Sequence, residues 1–265
     1  MSAGPLPRRR SVLRAALAVG AGGVAGSLVA GCGRDPSGAV LTDGVLDARH
    51  GLDGRRWRLA VPEGRSARGL VVALHGFGGD AGSAFDLGYG DAVASTGLAL
   101  ASVDGGDGYW HRRTDGTDSG AMVREELIPL ALSRTGLPAT SKVGLLGWSM
   151  GGFGALLLAS DLGPQRVAGV VAASAALWRT GAETPAVAYD GKADFDRHSV
   201  FNRVDRLTRI PVRLDCGLSD PFVAANRALA ARLAKVETHF EPGDHEDAWW
   251  AAHASAEMAW LSGRA

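Results

Sequence analysis

Cysteine is scarce in this 265-residue chain, with only Cys32 and Cys216 present. Cys32 ends an export-type segment described below, which leaves Cys216 without an intrachain partner and the domain without a disulfide. Cys216 closes the apolar run "IPVRLDC", and no neighbour in sequence lowers its pKa, so it is expected to be a small buried residue and not a nucleophile. Charge of one sign is also lacking. Twenty-eight basic residues balance twenty-eight acidic ones and no basic stripe appears, so nucleic acid is not an expected partner. Lysine is confined to Lys142, Lys192 and Lys235. The uncharged Ala/Gly/Val/Leu run Ala15–Gly31 has seventeen weakly apolar residues, short of the roughly 20 that span hydrocarbon. What is present is an apolar fraction of 46 %, enough for one large α/β domain with a substantial core.

The chain opens with "PRRRSVLRAALAVGAGGVAGSLVAGC": a basic start, an uncharged stretch, then a cysteine. This is the layout of an export signal. "RRSVLR" resembles the twin-arginine motif with Arg9 and Arg10 as the pair. "VAGC", Val29–Cys32, resembles a bacterial lipobox, whose cysteine is lipidated and becomes the mature N-terminus. Residues 1–32 are therefore expected to be a lipoprotein signal with its lipobox cysteine, and the product an outward-facing lipoprotein of the cell membrane. Loss of residues 1–31 removes four arginines and no acid, leaving 24 basic against 28 acidic residues.

Residues 33–55 mix Gly, Asp and Pro with little periodicity, as in a tether that then enters the first strands. From Arg56 onward strand-like and helix-like runs alternate to residue 265. Strands are predicted at 56–61, 69–76, 98–104, 142–148, 167–174, 212–217 and 236–241, several of them continuously apolar as in a sheet covered on both faces. Helices are predicted at Asp80–Ser95, Ala121–Thr135, Gly151–Asp161, Phe222–Ala234 and Asp247–Leu261. Repeated βαβ units of this size make a mostly parallel sheet with helices on both faces, an α/β fold. Residues 177–207 break the rhythm, being polar, irregular and long for a connection, and read as a lid over the strand ends.

The stretch "GWSMGG" places Ser149 at a strand-to-helix turn with Gly147 and Gly151 two residues to either side. This G-x-S-x-G elbow holds a nucleophile in a strained conformation where flanking side chains would clash. A serine hydroxyl needs a base and an acid to orient it, in the chain order Ser, acid, His. His245, in the loop after the last predicted strand, has the required position; His50 and His253 lie far from the strand carboxyl ends, His239 falls inside a strand, and His111 and His198 lie in polar loop or lid. Asp220, in the loop after Cys216, leads as the acid, with Asp215, Asp244 and Asp247 as competitors. The oxyanion donors expected are the N–H groups of Met150 and, from "ALHGFGGD", Phe77, while His75 in that loop is read as structural.

The ordered set "LHGFGG", "DGG", "EELIPL", "GWSMGGFGAL", "CGLSDPF" and "PGDHEDAWW" resembles the α/β-hydrolase esterases that include S-formylglutathione hydrolase (esterase D), the feruloyl esterases and the antigen 85 mycolyltransferases. The resemblance runs from Arg56 to Leu261. It implies an α/β-hydrolase fold, Ser149, Asp220 and His245 as triad, Phe77 and Met150 as oxyanion donors, and no metal or cofactor. The expected activity is hydrolysis of a small-molecule or cell-envelope ester. Acyl transfer by the same triad, peptidase activity and a non-catalytic surface lipoprotein are the alternatives. The loop "SVDGGDGYWHRR" departs from the family pattern, so Tyr109, Trp110 and Arg112 are expected to shape a private pocket, with Trp148 and Trp178 as further candidates for its lining. The free cysteine usual near the elbow in glutathione-ester hydrolases is absent.

Overall fold

The computed structural model describes residues 32–35, 38–47 and 49–264. The export-type segment, with Arg9 and Arg10, lies outside them, as does the side chain of Cys32. Nine strands form one sheet: β1 (Cys32–Asp35), β2 (Ala39–Val45), β3 (Arg56–Pro62), β4 (Gly69–Leu74), β5 (Leu98–Val103), β6 (Val143–Trp148), β7 (Val167–Ala173), β8 (Val212–Gly217) and β9 (Val236–Glu241). Their order is β1-β2-β3-β5-β4-β6-β7-β8-β9, antiparallel from β1 to β5 and parallel from there to β9. Every residue of β4, β5, β6 and β8 is buried, which accounts for the largely apolar runs of the first three, while β8 buries Arg213 and Asp215 as a pair.

One correction concerns the start of the sheet. Residues 39–45, read as part of a tether, form β2 and pair along their whole length with β3. Gly44 explains why the strand went unseen: a Cβ there would meet the Trp57 indole at 2.5 Å, so a residue that normally weakens a strand is needed for close cross-strand packing.

Helices cover both faces. On one side lie α1 (Ser83–Asp86), α2 (Ala92–Thr96) and α9 (Asp247–Ser262); on the other lie α3 (Ser119–Met122), α4 (Ile128–Thr135), α5 (Met150–Leu162), α6 (Lys192–His198) and α8 (Val223–Ala230), with α7 (Val204–Leu207) against α5. The single helix expected at 80–95 is two, because Gly88 takes φ +83° between them. A π-type turn at Val123–Leu127 joins α3 to α4 just before Pro129, whose missing N–H and ring cannot continue a regular ladder. No helix among the described residues is long and apolar enough to cross a membrane.

The 177–207 segment is also corrected. It is not a polar cover: Leu177, Ala188, Tyr189, Phe195, Val200 and Phe201 are buried in the core layer beneath it. Arg113 clamps it to the loop after β5 with two hydrogen bonds to Asp190, at 2.7 and 3.1 Å.

A buried polar network sits behind the site. Arg213 is bidentate to Asp215 at 2.8–2.9 Å through Nε, and the Tyr89 hydroxyl donates to Glu257 Oε2 at 2.7 Å. Burial, together with the neighbouring Asp215, holds the Glu257 carboxyl well above its usual range. Tyr89 in turn stacks on Trp148, the residue before the elbow serine, with centroids 5.7 Å apart.

The loop after β4 is fixed by two aromatic side chains. Gly105 N–H donates to His75 Nε2 at 2.9 Å, so the ring proton is on Nδ1, which donates to Gly76 O at 2.7 Å. Trp110 Nε1 donates to His75 O at 3.3 Å, and the two rings meet edge-on. Trp110 and Tyr109 hold φ of 58° and 57°, a left-handed conformation that costs about 1–3 kcal/mol each and persists where packing over-determines it. Packing does so here, since a Cβ at Gly154 of α5 would stand 2.5 Å from the Trp110 ring.

Gly154→Ala is therefore expected to destabilise the protein by about 1–3 kcal/mol, although alanine is normally favoured over glycine in a helix; urea unfolding measures it, and an increase in stability would show that the indole slot is loose. Burial also lowers the His75 imidazole from its ordinary 6.5, and His198 likewise, with the nearby His111 adding to it. The unfolded chain then binds a proton that the native state refuses, so stability falls as the pH drops below about 6.5. Denaturation midpoints between pH 7 and 5 should show this slope, and His75→Gln should flatten it.

Candidate active site

Ser149 follows β6 directly and caps α5, with φ 54° and ψ −120°. Its conformation is forced by the two glycines. A Cβ at Gly147 would lie 2.2 Å from Gly151 O, and one at Gly151 would lie 1.9 Å from Leu74 O, so only hydrogen fits at either position. The strain is held by backbone bonds: Ser149 N–H donates to Ala173 O, and Ser149 O accepts from Phe153 and Ala176 N–H. The hydroxyl is thereby lifted above the carboxyl edge of the sheet.

His245 comes from the loop between β9 and α9. Its Nε2 is 2.9 Å from Ser149 Oγ and its Nδ1 is 2.7 Å from Asp220 Oδ2. The buried carboxylate accepts the Nδ1 proton, which leaves the Nε2 lone pair facing the serine hydroxyl. Asp220 lies in the loop after β8 and takes a second hydrogen bond at Oδ1 from Phe222 N–H at 2.7 Å. Burial alone would raise its pKa, but the bonds from His245 and the Phe222 N–H outweigh it and leave it lowered. The competing acids stand elsewhere: Asp215 is tied to Arg213, Asp247 opens α9, and Asp244 makes no hydrogen bond to His245.

Two donors flank the serine. Met150 is the first residue of α5, so its N–H has no intrahelical acceptor. The N–H of Phe77 is not spent on any hydrogen bond among the described residues, while its neighbours are fixed by Gly79 N–H to Gly76 O and Gly78 N–H to Asp107 Oδ1 at 2.6 Å. Gly76–Gly79, Trp148, Ser149, His245 and Trp250 line a cavity of about 480 Å³, with Asp86, Glu246 and Asp247 contributing carboxylates.

Of the residues expected to bind substrate, only Trp148 reaches this cavity. Tyr109 and Trp110 are corrected to core positions, 6 % and 1 % exposed. Their order, aromatic and adjacent to glycines, suggested a pocket, but the glycines serve to admit the Trp110 ring to the interior. Arg112 is exposed and its backbone pairs with that of Asp118 in an isolated antiparallel bridge, and Trp178 packs on Tyr109 and Phe222. No residue of 177–207 lines the cavity.

Several participants had no sequence signal of their own. The His245 ring is held edge-on between Phe222 and Trp250, at centroid distances of 5.3 and 4.9 Å. Ser174, fully buried at φ 47°, closes the space behind Asp220. Burial and the nearby Asp220 push the Cys216 thiol up to about 12, so it stays an unreactive packing residue.

Among the described residues, His111, Asp194 and His198 bring possible metal donors within 4.8 Å of one another. The two imidazoles, however, are stacked at 4.3 Å with 22° between their planes, so their lone pairs cannot converge on one ion. His111 Nε2 faces Ala188 O at 2.9 Å and His198 Nδ1 faces Asp194 Oδ1 at 2.9 Å, which joins the 177–207 segment to the loop after β5. His111 is thus a buried tie and not the polar-loop residue expected.

Comparison with known proteins agrees with this fold. No curated protein matches the sequence. The fold is similar to FphF, a fluorophosphonate-binding serine hydrolase of Staphylococcus aureus, at TM-score 0.74 and 15 % identity, covering 84 % of this chain and 98 % of that one. It is similar to an S-formylglutathione hydrolase from Agrobacterium tumefaciens at TM-score 0.75 and 16 % identity, covering 87 % and 97 %, and to a ferulic acid esterase at TM-score 0.71 and 16 % identity, covering 86 % and 98 %. Residues 88–261 match the family described as "Putative esterase". The chain belongs to this esterase family of α/β-hydrolase fold and is a carboxylic ester hydrolase.

Proposed function

We propose that this protein is an exported serine esterase that cleaves small carboxylic esters through an acyl-enzyme on Ser149. The observation that carries the reading is the unbroken chain Asp220 Oδ2 to His245 Nδ1, at 2.7 Å, and His245 Nε2 to Ser149 Oγ, at 2.9 Å, opening on a cavity beside two unspent N–H groups. His245 takes the hydroxyl proton as Oγ attacks the ester carbonyl, and Asp220 stabilises the imidazolium that forms. The Phe77 and Met150 N–H groups receive the developing oxyanion, a contribution of about 3–4 kcal/mol per donor. His245 then returns the proton to the leaving alcohol. Water repeats the sequence on the acyl-enzyme and releases the acid. A polar cavity of about 480 Å³ suits short acyl groups and admits water, which supports hydrolysis over transfer to a second alcohol.

Export and membrane attachment rest on the sequence: the basic start, the uncharged run and the Cys32 lipobox. A single acyl chain holds a membrane only marginally, so the multiple chains of a bacterial lipoprotein are the anchor proposed.

Ser149→Ala and His245→Ala are each expected to lower kcat for a short-chain aryl ester by roughly 10⁴–10⁶-fold with the fold retained, and Asp220→Asn to lower it somewhat less. Asp244→Asn serves as the control. An Asp244 variant that is crippled while the Asp220 variant stays active would reassign the acid. For the anchor, fractionation of a bacterial host expressing the full chain should place wild type in the membrane and Cys32→Ser in the soluble fraction; equal solubility of the two would remove the lipid anchor.

A further inference from the structure

The catalytic cavity carries negative charge that the triad does not use. Asp86, Glu246 and Asp247 all line it, all are exposed, and no Lys or Arg lines it with them. None of the three has an ion-pair partner among the described residues, and the nearby cation Arg58 is bonded to Asp43 at 2.7 Å. Local structure accounts for two of these acids, since Asp86 lies in the first turn of α1 and Asp247 in the first turn of α9, where a helix N-terminus favours a carboxylate. Glu246 makes no capping hydrogen bond. The rest of the wall is aromatic. Trp148 and Trp250 are buried beside the serine and histidine, and Phe77 stands 56 % exposed at the lip. Trp250 is 6 % exposed, and its indole N–H is buried with no acceptor among the described residues.

We propose that this cavity selects esters whose alcohol half carries a cation, an amino or trialkylammonium alcohol, and disfavours esters of anionic alcohols; the inference rests on the esterase reading above. The reaction itself locates the charge. His245 must give its proton to the leaving oxygen as the ester C–O bond breaks and the Ser149 Oγ–C bond forms, so the alcohol half lies beside His245. Glu246 and Asp247 follow His245 in the chain, and the Trp250 ring is 4.9 Å from the imidazole. Carboxylates attract a cation there through the low-dielectric mouth of a cleft, and aromatic faces receive it. An anionic leaving group meets the same field with opposite sign.

The experiment compares three acetate esters of one shape by acid release: acetylcholine, its neutral carbon isostere 3,3-dimethylbutyl acetate, and the anionic 2-sulfoethyl acetate. Wild type should rank them cation, neutral, anion in kcat/KM, with about 10-fold or more between the extremes at low salt and a gap that narrows several-fold when the Debye length shrinks at about 0.5 M salt. The triple variant Asp86→Asn, Glu246→Gln, Asp247→Asn should lose the ranking. Ratios are taken within each protein, so a general loss of rate cancels, and circular dichroism checks that the variant is folded. Hydrolysis of the neutral ester with no ranking, or a ranking that survives in the variant, overturns this inference and leaves the esterase reading intact. If none of the three is turned over while a short-chain aryl ester is, calorimetry with phenyltrimethylammonium and benzenesulfonate decides the charge preference: tighter binding of the cation by wild type alone supports it, equal binding refutes it; if the aryl ester is untouched as well, the esterase reading falls and this inference with it.

Discussion

The site depends on one close approach of backbone to backbone. At Gly151 the chain passes so near the carbonyl of Leu74 that even a methyl group is excluded, and the same crowding recurs between Gly147 and Gly151. That contact presses the turn after β6 against the turn after β4. It holds Ser149 at a positive φ at the start of α5, on a cavity that Phe77 also lines. In the proposed reaction, nucleophile and oxyanion donors are therefore set by a single packing event, and His245 and Asp220 need only reach the place it defines.

The second turn is held from below by a different device. Trp110, threaded between Gly105 and Gly154, hydrogen-bonds the His75 carbonyl, and His75 in turn bonds Gly105. The strained φ values of Tyr109 and Trp110 are offset by this fit. Behind the serine, Tyr89 links the Trp148 wall to the buried carboxyl of Glu257. The catalytic layer thus stands on an aromatic and hydrogen-bonded layer that makes no contact with the cavity through Trp110 or Tyr109.

Sequence reading reached the parts of this arrangement that obey local rules. The strands from β3 to β9 were legible as short runs bounded by turn residues, most of them apolar, and their ends fall within two residues of those expected. Ser149, Asp220 and His245 were legible because spacing and chain order restrict each to one loop. What escaped was decided by tertiary contact. Gly44 hides β2 because the partner Trp57 lies on another strand. Tyr109 and Trp110 looked like pocket residues because nothing local shows that two glycines across the interior make room for them. The 177–207 segment looked polar because its buried residues are scattered between charged ones that pair at the surface. The acidic rim draws on residue 86 and on residues 246 and 247, which are remote from it in sequence and join it only around the folded cavity.

Cys216 has a practical corollary. With its thiol pushed up to about 12 and buried beneath Ser174, it offers almost no thiolate at neutral pH. A version of the chain without its first thirty-two residues then has no reactive sulfur of its own. Single cysteines introduced on the 177–207 surface or at the Phe77 lip become selective attachment points for fluorophores or spin labels, and distances across the mouth of the cavity can be followed in solution without first removing a native thiol.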